Sequence, residues 1–272
     1  MKLSIIGGGM MGEAILSGIL SSSFLKKENI LVSEPLEDRR KYLTEKYEIE
    51  VVSDNVYTVN SCEYILLAIK PQNFKEVLQE ISPHIKSHHV IISIAAGIPI
   101  SLISKYTKEA RSIIRVMPNL PCTVNKGAIA ITYSEAKEED IKFTKSLFET
   151  IGKVWILPEK YFDTVTALTG SGPAFVALIL QGFTLSGVKG GIPYDISREM
   201  VIQLFEGVLE YIKSKNLTFE DIIRMTSSPA GTTIMGLEVL YNERIIGIIM
   251  NAITSSKNRG SEITNEIKEG LL

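Results

Sequence analysis

An α/β fold, with a mostly parallel sheet covered by helices on both faces and an all-helical C-terminal half, is predicted by three observations. Short apolar runs alternate with amphipathic helical stretches through the first half of the 272-residue sequence. A glycine-rich turn, Gly7-Gly8-Gly9-Met10-Met11-Gly12, joins the first apolar run to the first helical stretch. Beyond Leu157 the strand-like runs stop and helical periodicity alone continues. Strands separated by helices make βαβ units, whose crossovers are right-handed and cover both faces of a parallel sheet.

Taken in order, the first element is the strand Lys2–Ile6, apolar and stopped by the glycines; the helix Met11–Leu20 follows. Ile30–Ser33 is a second strand, ended by Glu34-Pro35, and leads to the helix Leu36–Tyr47. Glu50–Ser53 and Tyr64–Ile69 are the third and fourth strands, the latter running into a Pro turn at Lys70-Pro71-Gln72 before the helix Phe74–Ile81. Val90–Ala95 is the fifth, closed by Ala95-Ala96-Gly97, with the helix Ile100–Tyr106 behind it. Ser112–Val116, Gly127–Thr132 and Lys153–Ile156 complete the strands, and Glu138–Ile151 is the last helix of this half. Helices are then expected at Lys160–Leu168, Pro173–Lys189, Pro193–Ser214, Phe219–Met225, Thr232–Leu240 and Arg244–Lys268. Pro173 and Pro193 suit first-turn positions, where the missing N–H costs nothing.

The boundary is expected near Leu157-Pro158. Residues 1–158 form a dinucleotide-binding, Rossmann-type domain and residues 159–272 a helical substrate-binding and dimerisation domain. Phe175, Val176, Leu178, Ile179, Leu180, Phe183 and Leu185 leave one late helix apolar nearly all round. Such a helix must be buried, and too little chain remains to cover it, so a homodimer is expected, with larger assembly left open.

Hydrophobic residues make up 45% and charged residues 22% of the chain, and the formal net charge is -2, so nothing asks for nucleic acid. Cys62 and Cys122 lie far apart in apolar stretches and read as buried reduced thiols. His84, His88 and His89 cluster in one polar stretch, read as a surface connection rather than a metal site. The apolar start Leu3-Ser4-Ile5-Ile6 is too short for a secretory signal. No apolar run approaches the ~18 residues of a membrane span. A cytoplasmic protein without membrane partners is expected.

The glycine turn satisfies GxGxxG between a strand and a helix, the context that gives the pattern meaning. Gly7 makes the tight turn, Gly9 lets the backbone approach a pyrophosphate, and Gly12 permits close helix–strand packing. The helix N-terminus then faces the phosphates. Gly8, Met10 and Met11 complete the motif. Glu34, ending the second strand, suits a ribose 2′-OH and favours NADH. Arg39 and Arg40 lie one turn into the next helix and suit either a 2′-phosphate or a solvated face, so NADPH or NADH stays open. Ala68, Ile69, Lys70, Pro71, Ala95, Ala96 and Gly97 sit at the carboxyl ends of strands, where ligands of open α/β sheets bind. Asn55 is counted with them as cofactor-binding.

A second constellation lies in the helical half. Thr226-Ser227-Ser228-Pro229-Ala230-Gly231-Thr232-Thr233 is a hydroxyl-rich turn before a helical pattern. Free N–H groups and hydroxyls at a helix start suit a carboxylate or a polarised nitrogen; an ordinary Ser/Thr cap is the competing reading. Thr169-Gly170-Ser171-Gly172-Pro173 is another Gly/Ser turn.

These segments together resemble the pyrroline-5-carboxylate reductases. The resemblance runs nearly end to end, through Ile6–Met11, Ala68–Gln72, Ala95–Gly97, Arg115-Val116-Met117-Pro118-Asn119-Leu120-Pro121, Gly170–Phe175 and Thr226–Thr233. It implies hydride transfer from NADPH or NADH to the C=N carbon of 1-pyrroline-5-carboxylate, giving L-proline in the last step of proline biosynthesis. It implies Ser171, Gly172, Gly231, Thr232 and Thr233 as substrate-binding residues, with Thr233 the polar neighbour of the imine nitrogen and so the catalytic candidate. Met10 stands where many members carry Asn, and Ala230 where Gly is usual. A β-hydroxyacid dehydrogenase or other imine reductase is the nearest alternative, but no Lys follows Gly172 until Lys189. A nicotinamide-sensing regulatory protein is the non-enzyme alternative, against which the intact Thr232-Thr233 pair argues.

Overall fold

The computed structural model describes residues 2–270. Eight strands form one sheet: β1 (Leu3–Ile6), β2 (Ile30–Ser33), β3 (Glu50–Val52), β4 (Tyr64–Leu67), β5 (Val90–Ser93), β6 (Ser112–Met117), β7 (Gly127–Ser134) and β8 (Gly152–Ile156). Their spatial order is β3-β2-β1-β4-β5-β6-β7-β8. All neighbours pair parallel except β6 with β7. The order reverses between β1 and β4, which makes the carboxyl end of β1 the topological switch point. The connecting helices are α1 (Met10–Ser21), α2 (Glu37–Tyr47), α3 (Asn55–Ser61), α4 (Pro71–Ile81), α5 (Ile100–Tyr106) and α6 (Glu138–Glu149).

Every expected strand is present. β4 and β5 stop earlier than their apolar runs, at Leu67 and Ser93, which leaves Ala68–Lys70 and Ala95–Gly97 as loops at the carboxyl edge. α3 was not expected. Its seven residues show no apolar stripe, and its signal is the cap: Asp54 accepts a 2.8 Å bond from the Tyr57 N–H. Strand residues alternate between two buried clusters. Leu3, Ile5, Ile30, Val32, Leu66 and Ile92 pack on one face with Ile15, Leu16 and Ile19 of α1. Ile6, Leu31, Ile65, Leu67 and Ile91 pack on the other with Phe74 and Leu78 of α4.

His89 corrects the expectation of an exposed histidine stretch. It is buried just before β5, and its Nδ1 accepts a 3.0 Å bond from the Lys86 N–H. Burial pulls its pKa down to about 4, so it stays neutral. Among the described residues no cluster of His, Cys, Asp or Glu could hold a metal ion.

Compact units divide differently from the expected boundary at 158/159. The first unit runs to Ser171 and takes back the segment from Ser255 onward; the second is Gly172–Thr254. The reason is packing. Phe162 and Val165 of α7 (Phe162–Val165) join Met117 and Ala130 in one cluster, although they lie past the last strand. Periodicity marks a helix, not the unit that buries it.

The second unit holds α8 (Gly172–Lys189), α9 (Tyr194–Lys215), α10 (Phe219–Thr226) and α11 (Thr232–Asn242), and α12 (Ile245–Lys268) begins within it. α8 and α9 pack closely. Ser197 Oγ donates to the Thr184 carbonyl at 2.8 Å, and Phe183 meets Phe205 edge-on at 5.3 Å. Much of the remaining apolar surface is uncovered: Leu178 is 67% exposed and Phe219 71%. The helical stretch Glu159–Lys189 is long and apolar enough by length and composition to cross a membrane, a test that helices of soluble proteins also pass. Its Gly and Thr positions break a continuous apolar run without making the helix polar overall.

Candidate active site

A cleft of about 690 Å³ opens at the carboxyl ends of β1 to β4. Gly7, Gly9, Glu34, Asn55, Ala68, Ile69 and Lys70 all line it. Seven expected cofactor residues from four separate segments therefore meet where an open α/β sheet holds its ligand.

The glycines of the turn are there for different reasons. Gly7 has φ +106, and an added Cβ would lie 2.4 Å from the Ala68 carbonyl oxygen. A Cβ on Gly12 would lie 2.1 Å from the Gly7 carbonyl oxygen. Both are demanded by the fold itself. Gly9 is not: its Cβ would meet nothing within 4 Å, and its backbone is extended. That open space belongs to the cleft wall, at the N-cap of α1, where no side chain caps the helix. A cradle that only a Cβ would fill, beside uncapped N–H groups, fits the pyrophosphate of a dinucleotide.

The end of the cleft near β2 is tightly tied. Glu34 is buried; its Oε2 accepts from the Gly8 N–H at 2.9 Å and its Oε1 from the Leu36 N–H at 3.0 Å. Arg39 Nε donates to the Gly8 carbonyl at 2.7 Å, and its guanidinium also pairs with Glu13. Arg40 donates to the carbonyls of Glu34 and Pro35 at 2.9 and 2.6 Å. Neither arginine forms a plain solvated face. Glu13 was missed by sequence reasoning, because an acid in a first helical turn reads as an ordinary partner of the helix dipole.

Asn55 opens α3; its Oδ1 accepts from Ser33 Oγ at 2.7 Å, and its Nδ2 donates to Glu80 at 2.7 Å. Lys70 is exposed at the N-cap of α4, with Pro71 in the first helical position. Met10 is exposed, while Met11 packs into the core. The remaining loop lies elsewhere in the first unit. Ala95 is buried, Ala96 packs with Met117 and Phe162, and Gly97 (φ +75) has Ile267 and Ile263 of α12 beside it.

Ser171 ends a π-helical turn, Thr166–Gly170, a conformation concentrated at functional sites. Its N–H donates to the Thr166 carbonyl at 2.8 Å, and its Oγ accepts from Ser256 Oγ at 3.2 Å. Buried Asn119 braces the turn. Its Nδ2 donates to the Thr169 carbonyl at 3.0 Å, and its Oδ1 accepts from the Ala128 N–H at 2.9 Å.

Gly172, Gly231, Thr232 and Thr233 belong to the second unit. Gly231 is the N-cap of α11 and no side-chain bond caps it, so neither threonine is serving as a helix cap. Thr232 and Thr233 are exposed in the first turn, and among the described residues neither hydroxyl has a hydrogen-bond partner. Ala230 has φ +54, the left-handed conformation that glycine adopts more cheaply.

Comparison with known proteins covers both halves. Residues 159–263 match the family described as pyrroline-5-carboxylate reductase dimerisation, and residues 2–97 match NADP oxidoreductase coenzyme F420-dependent. The chain is 36% identical to a pyrroline-5-carboxylate reductase of Synechocystis sp. over 263 residues, covering 96% of this chain and 98% of the relative. It is 33% identical to one from Methanosarcina acetivorans, with 96% and 97% covered. Among solved structures, a pyrroline-5-carboxylate reductase from Coxiella burnetii aligns with TM-score 0.91 at 25% identity, covering 96% of this chain and 98% of that one. A Plasmodium falciparum pyrroline carboxylate reductase with NADP bound aligns with TM-score 0.86 at 28% identity, covering 97% and 98%.

Proposed function

The chain belongs to the pyrroline-5-carboxylate reductase family, and on that premise we propose how its residues divide the work of reducing 1-pyrroline-5-carboxylate to L-proline. It is an NAD(P)H-dependent oxidoreductase of the C=N bond. The observation that carries the reading is the Gly9 cradle, an opening in the cleft wall that no protein atom fills.

A reduced nicotinamide dinucleotide, when bound, supplies the hydride for the ring carbon. The protein's part is binding and positioning. The Gly7–Gly9 backbone and the start of α1 hold the pyrophosphate. The family resemblance assigns the substrate carboxylate to Ser171 and to Thr232, each with hydroxyl and backbone N–H donors of its own turn. Thr233 Oγ accepts from the N–H of the protonated imine, keeping the proton on nitrogen and the ring carbon electrophilic. Prepaid orientation and fixed dipoles then supply most of the rate. α8 offers no Lys before Lys189, so the base that alcohol oxidation needs is missing.

The exposed apolar faces of the second unit support a homodimer, and a membrane partner is not part of the reading. Sedimentation at micromolar protein is expected to give a dimer or larger; a stable, active monomer would refute the dimer. The free buried thiols of Cys62 and Cys122 support a cytoplasmic location. The test of function is steady-state turnover of 1-pyrroline-5-carboxylate with NADH and with NADPH. Both are expected to be oxidised in step with proline formation. Turnover of a β-hydroxyacid but not of the imine would favour the dehydrogenase reading.

A further inference from the structure

We propose that Glu13, which lies outside the cleft wall, sets the balance between NADH and NADPH by holding Arg39 on the glycine turn. The inference rests on the reading of the cleft as the dinucleotide site. Its geometry is that of a latch. Glu13 projects from the first turn of α1, and its side chain is only 17% exposed. Four donors from α2 converge on its carboxylate: Arg39, Tyr42 Oη at 3.0 Å, Lys46 Nζ at 2.8 Å and Tyr47 Oη at 2.8 Å. Burial alone would raise its pKa, but these donors outweigh burial and bring it down to about 2, so the latch is charged at every working pH.

The consequence falls on the Gly8 peptide. Its carbonyl accepts from Arg39 and its N–H donates to Glu34. Those are the two charged side chains of the cleft wall beside β2. With Arg39 paired to Glu13, its positive charge is spent within the protein. Glu34 then meets an adenosine ribose with Arg39 neutralised and Arg40 turned onto the carbonyls of Glu34 and Pro35, an arrangement that suits a 2′-OH over a 2′-phosphate. Freeing Arg39 would reverse the balance. The guanidinium would stay beside the cleft, because it stacks on the Tyr42 ring at 4.9 Å. It would then offer its planar donors to a phosphate.

The test is direct binding of NADH and NADPH, followed by nicotinamide fluorescence without substrate, together with thermal melts of the unliganded protein. Glu13→Gln is expected to shift the ratio of dissociation constants about tenfold toward NADPH, the worth of roughly one charge-assisted hydrogen bond. Glu13→Asp, which keeps the charge, should keep most of the wild-type ratio. In an Arg39→Gln background the Glu13 substitution should leave the ratio unchanged, because the residue acts through Arg39. Equal weakening of both dinucleotides by Glu13→Gln, or the same ratio shift without Arg39, would overturn the proposal and leave Glu13 as a structural brace. Binding of neither dinucleotide by the wild-type protein would overturn the reading of the cleft as well.

Discussion

Gly9→Val is expected to fold and to bind NADH and NADPH at least about tenfold more weakly, a loss of roughly 1.4 kcal/mol or more. The expectation turns on why each glycine of the turn is a glycine. At Gly7 a side chain meets backbone and a positive φ, and at Gly12 it meets the Gly7 carbonyl. Substitution there tests folding. At Gly9 the backbone is already extended and the added Cβ points into open cleft. The protein itself has little to lose beyond the N-cap preference for Gly over Val, about 1 kcal/mol. A ligand running along the backbone loses its path. Titration of nicotinamide fluorescence, paired with a thermal melt, separates the two costs. Unchanged affinity in a folded Gly9→Val protein would show that the turn has no role in binding.

Thr233→Ala is expected to lower kcat for 1-pyrroline-5-carboxylate roughly ten- to thousandfold while leaving dinucleotide affinity nearly intact. One aimed hydrogen bond in a dry site is worth about 1.5–4 kcal/mol in the transition state. The competing account, that Thr233 caps α11, would appear as lost stability. Its cap position is taken by Gly231, which carries no side-chain bond, and Thr233 is exposed. The melting temperature of the Ala variant should therefore match the parent within error. Thr233→Ser keeps the hydroxyl and should keep most of the activity. A lower melting temperature with normal turnover would remove Thr233 from the chemistry.

The strands of the sheet were legible in the sequence because each is a short apolar run stopped by Gly, Pro or a charged turn. The cofactor turn was legible because its three spaced glycines follow a strand. What the sequence did not carry is long-range pairing. Nothing local to Glu13 reveals that Arg39, on the next helix, will be its partner, or that both Glu34 oxygens will be taken by backbone N–H groups. Asn119 lay inside a family motif, yet its bond to the Thr169 carbonyl joins segments 50 residues apart. The first compact unit runs past residue 158 for a related reason: Phe162 looks like any helical apolar residue until Met117 and Ala130 are seen beside it. His89 was misread because a polar stretch was taken as exposed throughout, whereas the residue next to a buried strand is drawn in with it.

The central claim is that this chain directs hydride from a reduced nicotinamide to the C=N carbon of a cyclic imino acid. Turnover with NADH or NADPH carrying deuterium in the transferable position tests it most directly, with the proline product analysed by mass and NMR. The account predicts one deuterium per L-proline, at the ring carbon that was double-bonded to nitrogen. Proline without the label, or oxidised dinucleotide with no proline formed, would contradict it.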